Sequence, residues 1–304
     1  MKQLTLLFLL IFSLNKTKAQ DNFEWQHPLP SGHYYSDVQL INNNSIVAVG
    51  LRGTFVRSDN GGTNWTHHYT QTLADLRGVF FVNSDTGYVC GETNSGPAPH
   101  LMKTTDGGQT WDSIYISSSE DLYDVTFINQ DTGWVVGNSG TIYCTHDGGS
   151  TWISQSIVTF NAFYSIYMLN STTGFIGGYN GSIYKTTDGG NNWTPVSTGI
   201  TKTILDFSFI NDSTGWLSTS GETIRKTIDG GLTWTLQYNT GNATDITGIH
   251  MLDSSNGFAC SQSYIYRTSN GGTTWNDDNN FFHQPVALDM NASGKAVMVG
   301  LYGC

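Results

Sequence analysis

The sequence predicts an all-β fold, a seven-bladed β-propeller of four-stranded antiparallel blades, and three observations carry that expectation. A glycine turn ending in tryptophan recurs in register along the chain. Each copy is flanked by the same four short segments, of which the first alternates apolar and polar residues. The composition suits short strands and tight turns: Asp, Glu, Lys and Arg make up 12% of 304 residues, against roughly 25% in an ordinary domain, and 35 residues are glycine.

The repeat comes first, because a fixed period of this length marks a repeat architecture. RSDNGGTNW, KTTDGGQTW, CTHDGGSTW, KTTDGGNNW, KTIDGGLTW and RTSNGGTTW end at Trp65, Trp111, Trp152, Trp193, Trp234 and Trp275. Their spacings are 46, 41, 41, 41 and 41 residues, and the long gap holds the insertion ETNSGPAPH at 92–100. Trp25 lies 40 residues before Trp65, with no such turn ahead of it.

In the third copy, LYDVTFI (122–128) reads as the first strand, TGWVVG (132–137) as the second and TIYCT (141–145) as the third. The DGGST turn (147–151) leads into a fourth strand opening at Trp152. Val125 and Phe127 alternate with Asp124 and Thr126, the period of a half-buried strand. The apolar column recurs as Val38/Leu40, Val79/Phe81, Ile166/Met168, Phe207/Phe209, Ile249/Met251 and Leu288/Met290. Gly, Asn and Asp turns between strands make each strand pair with the next. One such sheet cannot bury both faces alone, whereas copies set radially cover one another and leave only short edges. The strand pattern excludes a helical solenoid, and a β-solenoid would have a shorter period.

Seven first-strand/second-strand pairs can be counted, the last being VALDM (286–290) and AVMVG (296–300), and six are followed by a complete turn and tryptophan strand. The expected propeller therefore covers 21–304, with a closing blade made of 285–304 plus 22–30. That blade is expected to be incomplete, because GLYGC (300–304) aligns with GLRGT (50–54) and then stops; a chain truncated from a longer one is the expectation.

Residues 1–20 read as a secretory signal peptide: Lys2, the apolar run LTLLFLLIFSL (4–14), then NKTKAQ, with cleavage near Ala19 or Gln20. The run is shorter than the roughly 20 residues that cross a bilayer, so a secreted, periplasmic or cell-surface protein without a membrane span is expected. Losing Lys2, Lys16 and Lys18 takes the net charge from −11 to −14, a field that repels nucleic acid. The cysteines are Cys90, Cys144, Cys260 and Cys304. Cys90 and Cys260 share a repeat column with Val49, Val136, Gly177, Ser218 and Val299, which predicts buried free thiols.

The cleanest turn is Thr104, Asp106, Gly108, Thr110 and Trp111; its equivalents pair Asn60 with Trp65, Asp147 with Trp152, Asp188 with Trp193, Asp229 with Trp234, and Asn270 with Trp275. An Asp or Asn side chain can accept amides a few residues on, glycine permits positive φ, and tryptophan anchors the hairpin. Calcium wants six to eight oxygens and one turn offers a single carboxylate, so the turns are expected to be structural and no metal or cofactor is expected. This octet resembles the Asp box of BNR repeats. The flanking text, F-I-N-x-x-T-G-W-x-V-G and then G-T-I-Y-K-T-T-D-G-G, looks most like the photosystem II stability/assembly-factor propellers over about 23–304. That resemblance implies a seven-bladed propeller that binds protein and does not catalyse.

A sialidase would need an arginine triad, and its R-I-P signature is absent. For a glycosidase, two carboxylates must flank the bond, and the candidates are Asp37, Asp124, Asp206 and Asp289 on first strands near the channel. A carbohydrate-active hydrolase is thus the alternative to a binding module. Binding is favoured by aromatics in the connections that enter the first strands at one mouth: Tyr34, Tyr35, Tyr123, Phe163, Tyr164, Phe281 and Phe282, beside Asp124. Exposed aromatics with polar neighbours suit a protein or glycan partner, and the propeller is expected to act as a monomer.

Overall fold

The computed structural model describes residues 10–11, 24–25, 34–92, 100–155, 157–239, 244–278 and 284–300. Each repeat folds as four consecutive antiparallel strands in sequence order. Blade 1 holds Tyr35–Leu40, Ile46–Gly50, Thr54–Ser58 and Thr66–Tyr69. Blades 2 to 6 begin with Leu76–Phe81, Leu122–Phe127, Phe163–Met168, Ile204–Phe209 and Ile246–Met251. Their second strands are Gly87–Gly91, Gly133–Gly137, Gly174–Gly178, Gly215–Thr219 and Gly257–Ser261, buried at every residue.

Six blades, not the seven expected, are built this way. Only six copies carry the turn and tryptophan that fold a fourth strand back. The gap between blades 6 and 1 is filled by a composite sheet instead. It pairs Pro285–Met290 with Ala296–Gly300, then adds two-residue strands Leu10–Ile11 and Glu24–Trp25. Leu10 sits opposite Met298 and Ile11 opposite Val297, so part of the expected leader fills the third position. Val297 and Val299 pack with Tyr35, Val38 and Leu40 of blade 1 and join the two chain ends through a common core.

Core side chains lie between blades. Val47, Val49 and Phe55 of blade 1 pack on Leu76, Val79, Phe81 and Trp111 of blade 2, and equivalent clusters fill the other junctions. Fully burying one such aliphatic or aromatic side chain is worth about 1.5–3 kcal/mol, so the clusters hold neighbouring blades together.

The glycine turn has a repeated geometry. Thr104 Oγ1 accepts the Gly108 N–H at 2.9 Å and donates to Asp106, whose carboxylate also takes the Thr110 N–H at 2.9 Å and hydroxyl at 2.6 Å. These donors hold the Asp106 carboxyl down at about 2, as their counterparts do for Asp147 and Asp229. In the sixth turn, Gly272 has φ +83°, and a Cβ there would lie 2.8 Å from Nε1 of Trp216 on the preceding blade. A lysine from that blade completes the junction: Lys226 Nζ donates to Gly271 O at 2.9 Å and sits 4.5 Å over the Trp216 ring. Lys103 and Lys185 repeat the bond to Gly148 and Gly230, and Arg57 to Gly107. The anchoring Trp65 and Trp111 donate to Gly62 and Gly108, whereas the buried indole N–H groups of Trp152, Trp193, Trp234 and Trp275 have no partner among the described residues. Cys90, Cys144 and Cys260 are buried free thiols, and Cys304 lies outside the described residues. Among the described residues no helix is long and apolar enough to cross a membrane.

Candidate functional site at the channel mouth

Two sets of loops separate onto opposite faces. The glycine turns bond to the first turns of their own blades, as in Gly61 N–H to Asn44 O and Gly148 N–H to Asp131 O. On the other face, the turns after the second strands bond to the connections entering the first strands, as in Leu51 N–H to Tyr34 O and Tyr179 N–H to Ala162 O. That second face carries the mouth of the channel.

The first strands converge there on a cavity of about 220 Å³, lined by Asp37, Asp124 and Asp206, the rings of Tyr123 and Tyr164, and Arg77, Ser165 and Thr247 among others. The two rings lie 5.0 Å apart, tilted by 33°. Arg77 is paired with Glu92 at 2.8 Å.

The carboxylates clip one blade to the next. Asp37 accepts the N–H of Val38 through Oδ1 and that of Val79, in the next blade, through Oδ2, both at 2.8 Å. Asp206 likewise takes Phe207 at 2.7 Å and Ile249 at 2.8 Å, and Asp124 takes Ile166 at 2.8 Å. Asp289 takes Leu40 N–H at 2.8 Å across the closing junction. Two positions along the strand, Gln39 and Ser208 perform the same task towards Phe81 and Met251. Burial is the largest influence on these acids: it pushes Asp37 and Asp206 up to about 7 against the pull of their amide donors, and raises Asp124 well above the carboxylate range. Neighbouring carboxylates add to the rise. His250, 3.5 Å from Asp289, is lowered by burial.

The aromatics expected at the mouth divide. Tyr123 and Tyr164 line the cavity, and Tyr34 is half-buried. Tyr35 and Phe163 do not face solvent: they are 4% and 0% exposed and pack into the cores of blades 1 and 4. The reason is the bulge at the start of each first strand, between Tyr35 and Asp37 and between Phe163 and Ser165, which turns the first residue to the core and the next to the channel. Phe281 and Phe282 lie outside the described residues. Sequence reasoning passed over Arg77 and Ser165; their signal was position, since they share strand positions with Tyr123 and Asp124.

The sequence matches, over 103–200 and 191–277, the family described as Photosynthesis system II assembly factor YCF48. The two stretches together span more than half of the chain. The chain belongs to this family. Among solved structures it is similar to YCF48 from Cyanidioschyzon merolae, at 20% identity and a TM-score of 0.75, covering 91% of this chain and 95% of that one. A structure described as YCF48 bound to D1 peptide aligns at 18% identity and a TM-score of 0.76 over 90% of this chain and 93% of that one. The GH74 enzyme of Niastella koreensis aligns at 15% identity and a TM-score of 0.73, over 90% of this chain and 52% of that one. At these identities the likeness is one of fold. No curated protein sequence matches the chain.

Proposed function

We propose that this chain is an exported, non-catalytic module that binds a polypeptide partner at the channel mouth. The observation that carries the reading is the exposed apolar surface on the same face as the cavity. Val158 and Phe160 are fully exposed on the connection that leads, three residues after Phe160, into Phe163 and Tyr164. Tyr179, 57% exposed, stands on the turn bonded to that same connection. Exposed apolar side chains beside a polar cavity are the pattern of an interaction site. Family membership supports the reading, and the relative bound to D1 peptide supplies the class of partner, a polypeptide segment.

A hydrolase reading is weaker because the channel aspartates hold backbone amides of adjoining blades instead of standing free as an acid and a base. Export rests on the leader; cleavage near Ala19 or Gln20 would also remove Leu10–Ile11 from the closing sheet. The test is site-specific photocrosslinking in the cell of origin, with benzoylphenylalanine at Phe160 or, on the opposite face, at Ile228. A protein adduct at 160 and none at 228 is expected. Adducts at 228 alone, or none at either site alongside turnover of fluorogenic glycosides, would overturn the reading. The N-terminal residue of the mature protein tests export.

A further inference from the structure

We propose that the mouth cavity is a receptor for one primary ammonium group, the side chain of a lysine presented by the partner. The inference rests on the mouth being the binding face and adds the chemistry of the group it receives. At about 220 Å³ the cavity is smaller than the roughly 300 Å³ at which small-molecule sites begin, which suits a single side chain and not an oligosaccharide.

Its lining is specific. Asp37, Asp124 and Asp206 present carboxyl groups, and each ionised carboxylate has about four lone-pair sites, of which the backbone bonds use only part. The faces of Tyr123 and Tyr164 attract a cation. Ser165 supplies an independent sign: it is 4% exposed, lines the cavity, and its hydroxyl has no hydrogen-bond partner among the described residues. That hydroxyl opens to the cavity, where it can accept from an incoming donor.

Among the described residues no lysine fills this role. Arg77, which also lines the cavity, is neutralised by Glu92. Lys103, Lys185 and Lys226 serve the glycine-turn face. An ammonium fits better than a guanidinium, whose planar fork is matched best by two otherwise unused oxygens of one carboxylate. On Asp37 and Asp206 each oxygen already receives a backbone N–H. Three compact donors can instead converge on several carboxylates and on Ser165. The mutual repulsion of Asp37, Asp206 and Asp289 is relieved by the incoming charge. Of the other titratable groups here, His250 is lowered by burial, and the Cys90 and Cys260 thiols are pushed up.

The test titrates the full chain at pH 8 with Nα-acetyl-lysine methylamide, and with the norleucine and arginine analogues, followed by calorimetry or NMR. Millimolar binding of the lysine probe is expected, at least tenfold tighter than norleucine and several-fold tighter than arginine. Binding should weaken at least fivefold in Asp124→Asn and in Tyr164→Leu, and again at pH 5.5 in the parent chain. Should Asp124→Asn not fold, Ser165→Ala, expected to weaken binding two- to threefold, takes its place. No binding of the lysine probe, equal binding of norleucine, or folded variants that bind as the parent would overturn the inference. Failure with the lysine probe while the adduct at 160 persists removes the lysine receptor alone; lysine binding without any protein adduct removes the protein-binding reading alone.

Discussion

Acidification from pH 7 to pH 5 should stabilise this protein. Asp37 and Asp206 move from 3.8 to about 7 on folding, because the channel denies them water. Between those values the folded chain holds protons that the unfolded chain has released. The stabilisation is therefore complete below about 4 and is lost as pH rises through 7. Each carboxyl contributes at most about 1.4 kcal/mol per pH unit in that window, so two carboxyls over two units give roughly 5 kcal/mol as a ceiling. The cavity is open to solvent at its mouth and the amide donors oppose protonation, so roughly half of that, about 2–3 kcal/mol, is expected. For a chain of this size that corresponds to a rise of about 5 °C in Tm. His250 works in the opposite direction, since its lowered value makes it lose stability as pH falls through the ordinary histidine range. Thermal melts at pH 7.5, 6 and 5 should be compared with the Asp37→Asn/Asp206→Asn double variant, in which the rise should shrink to the share carried by Asp124 and Asp289. A parent Tm that is flat or falls from pH 7 to pH 5 would show that the backbone amides at 2.7–2.8 Å outweigh burial and keep both groups ionised.

Three further outcomes follow from the junctions and turns. Lys226→Met keeps the aliphatic stem but loses the bond to Gly271 and the charge over Trp216, at a cost of about 1–3 kcal/mol read from the urea midpoint; a change within a few tenths would refute the staple. Thr145→Val is isosteric but leaves the buried Gly149 N–H without its 2.8 Å acceptor, so a loss of about 1–3 kcal/mol is expected in the same assay. Gly272→Ala places a Cβ at φ +83° and 2.8 Å from Trp216 Nε1; the left-handed conformation alone costs about 1–2 kcal/mol, and an unchanged midpoint would show that blade 5 can move away.

The repeat was legible because its cause is local: the octet around Asp106 closes within seven residues, and alternation in Val125 and Phe127 needs no distant partner. The blade count was less legible. Counting first and second strands predicted seven blades, but completing a blade takes the turn and tryptophan strand as well, and the closing sheet gathers strands nearly 300 residues apart. The aspartates were found, and the role weighed for them as a catalytic pair did not fit. Nothing within LYDVTF says that Asp124 will meet the Ile166 amide, 42 residues away in the next blade. Tyr35 and Phe163 were placed at the mouth because a bulge that shifts register by one residue leaves no mark in the alternation pattern.

Strands, turns and tryptophan anchors could be read from the sequence, since each depends on residues close together in the chain. Tertiary structure alone decided which carboxylates meet which amides, which aromatics face the channel, and how the two ends share a sheet. Those outcomes depend on neighbouring blades brought side by side, and a side chain's surroundings there are set by residues one whole repeat away.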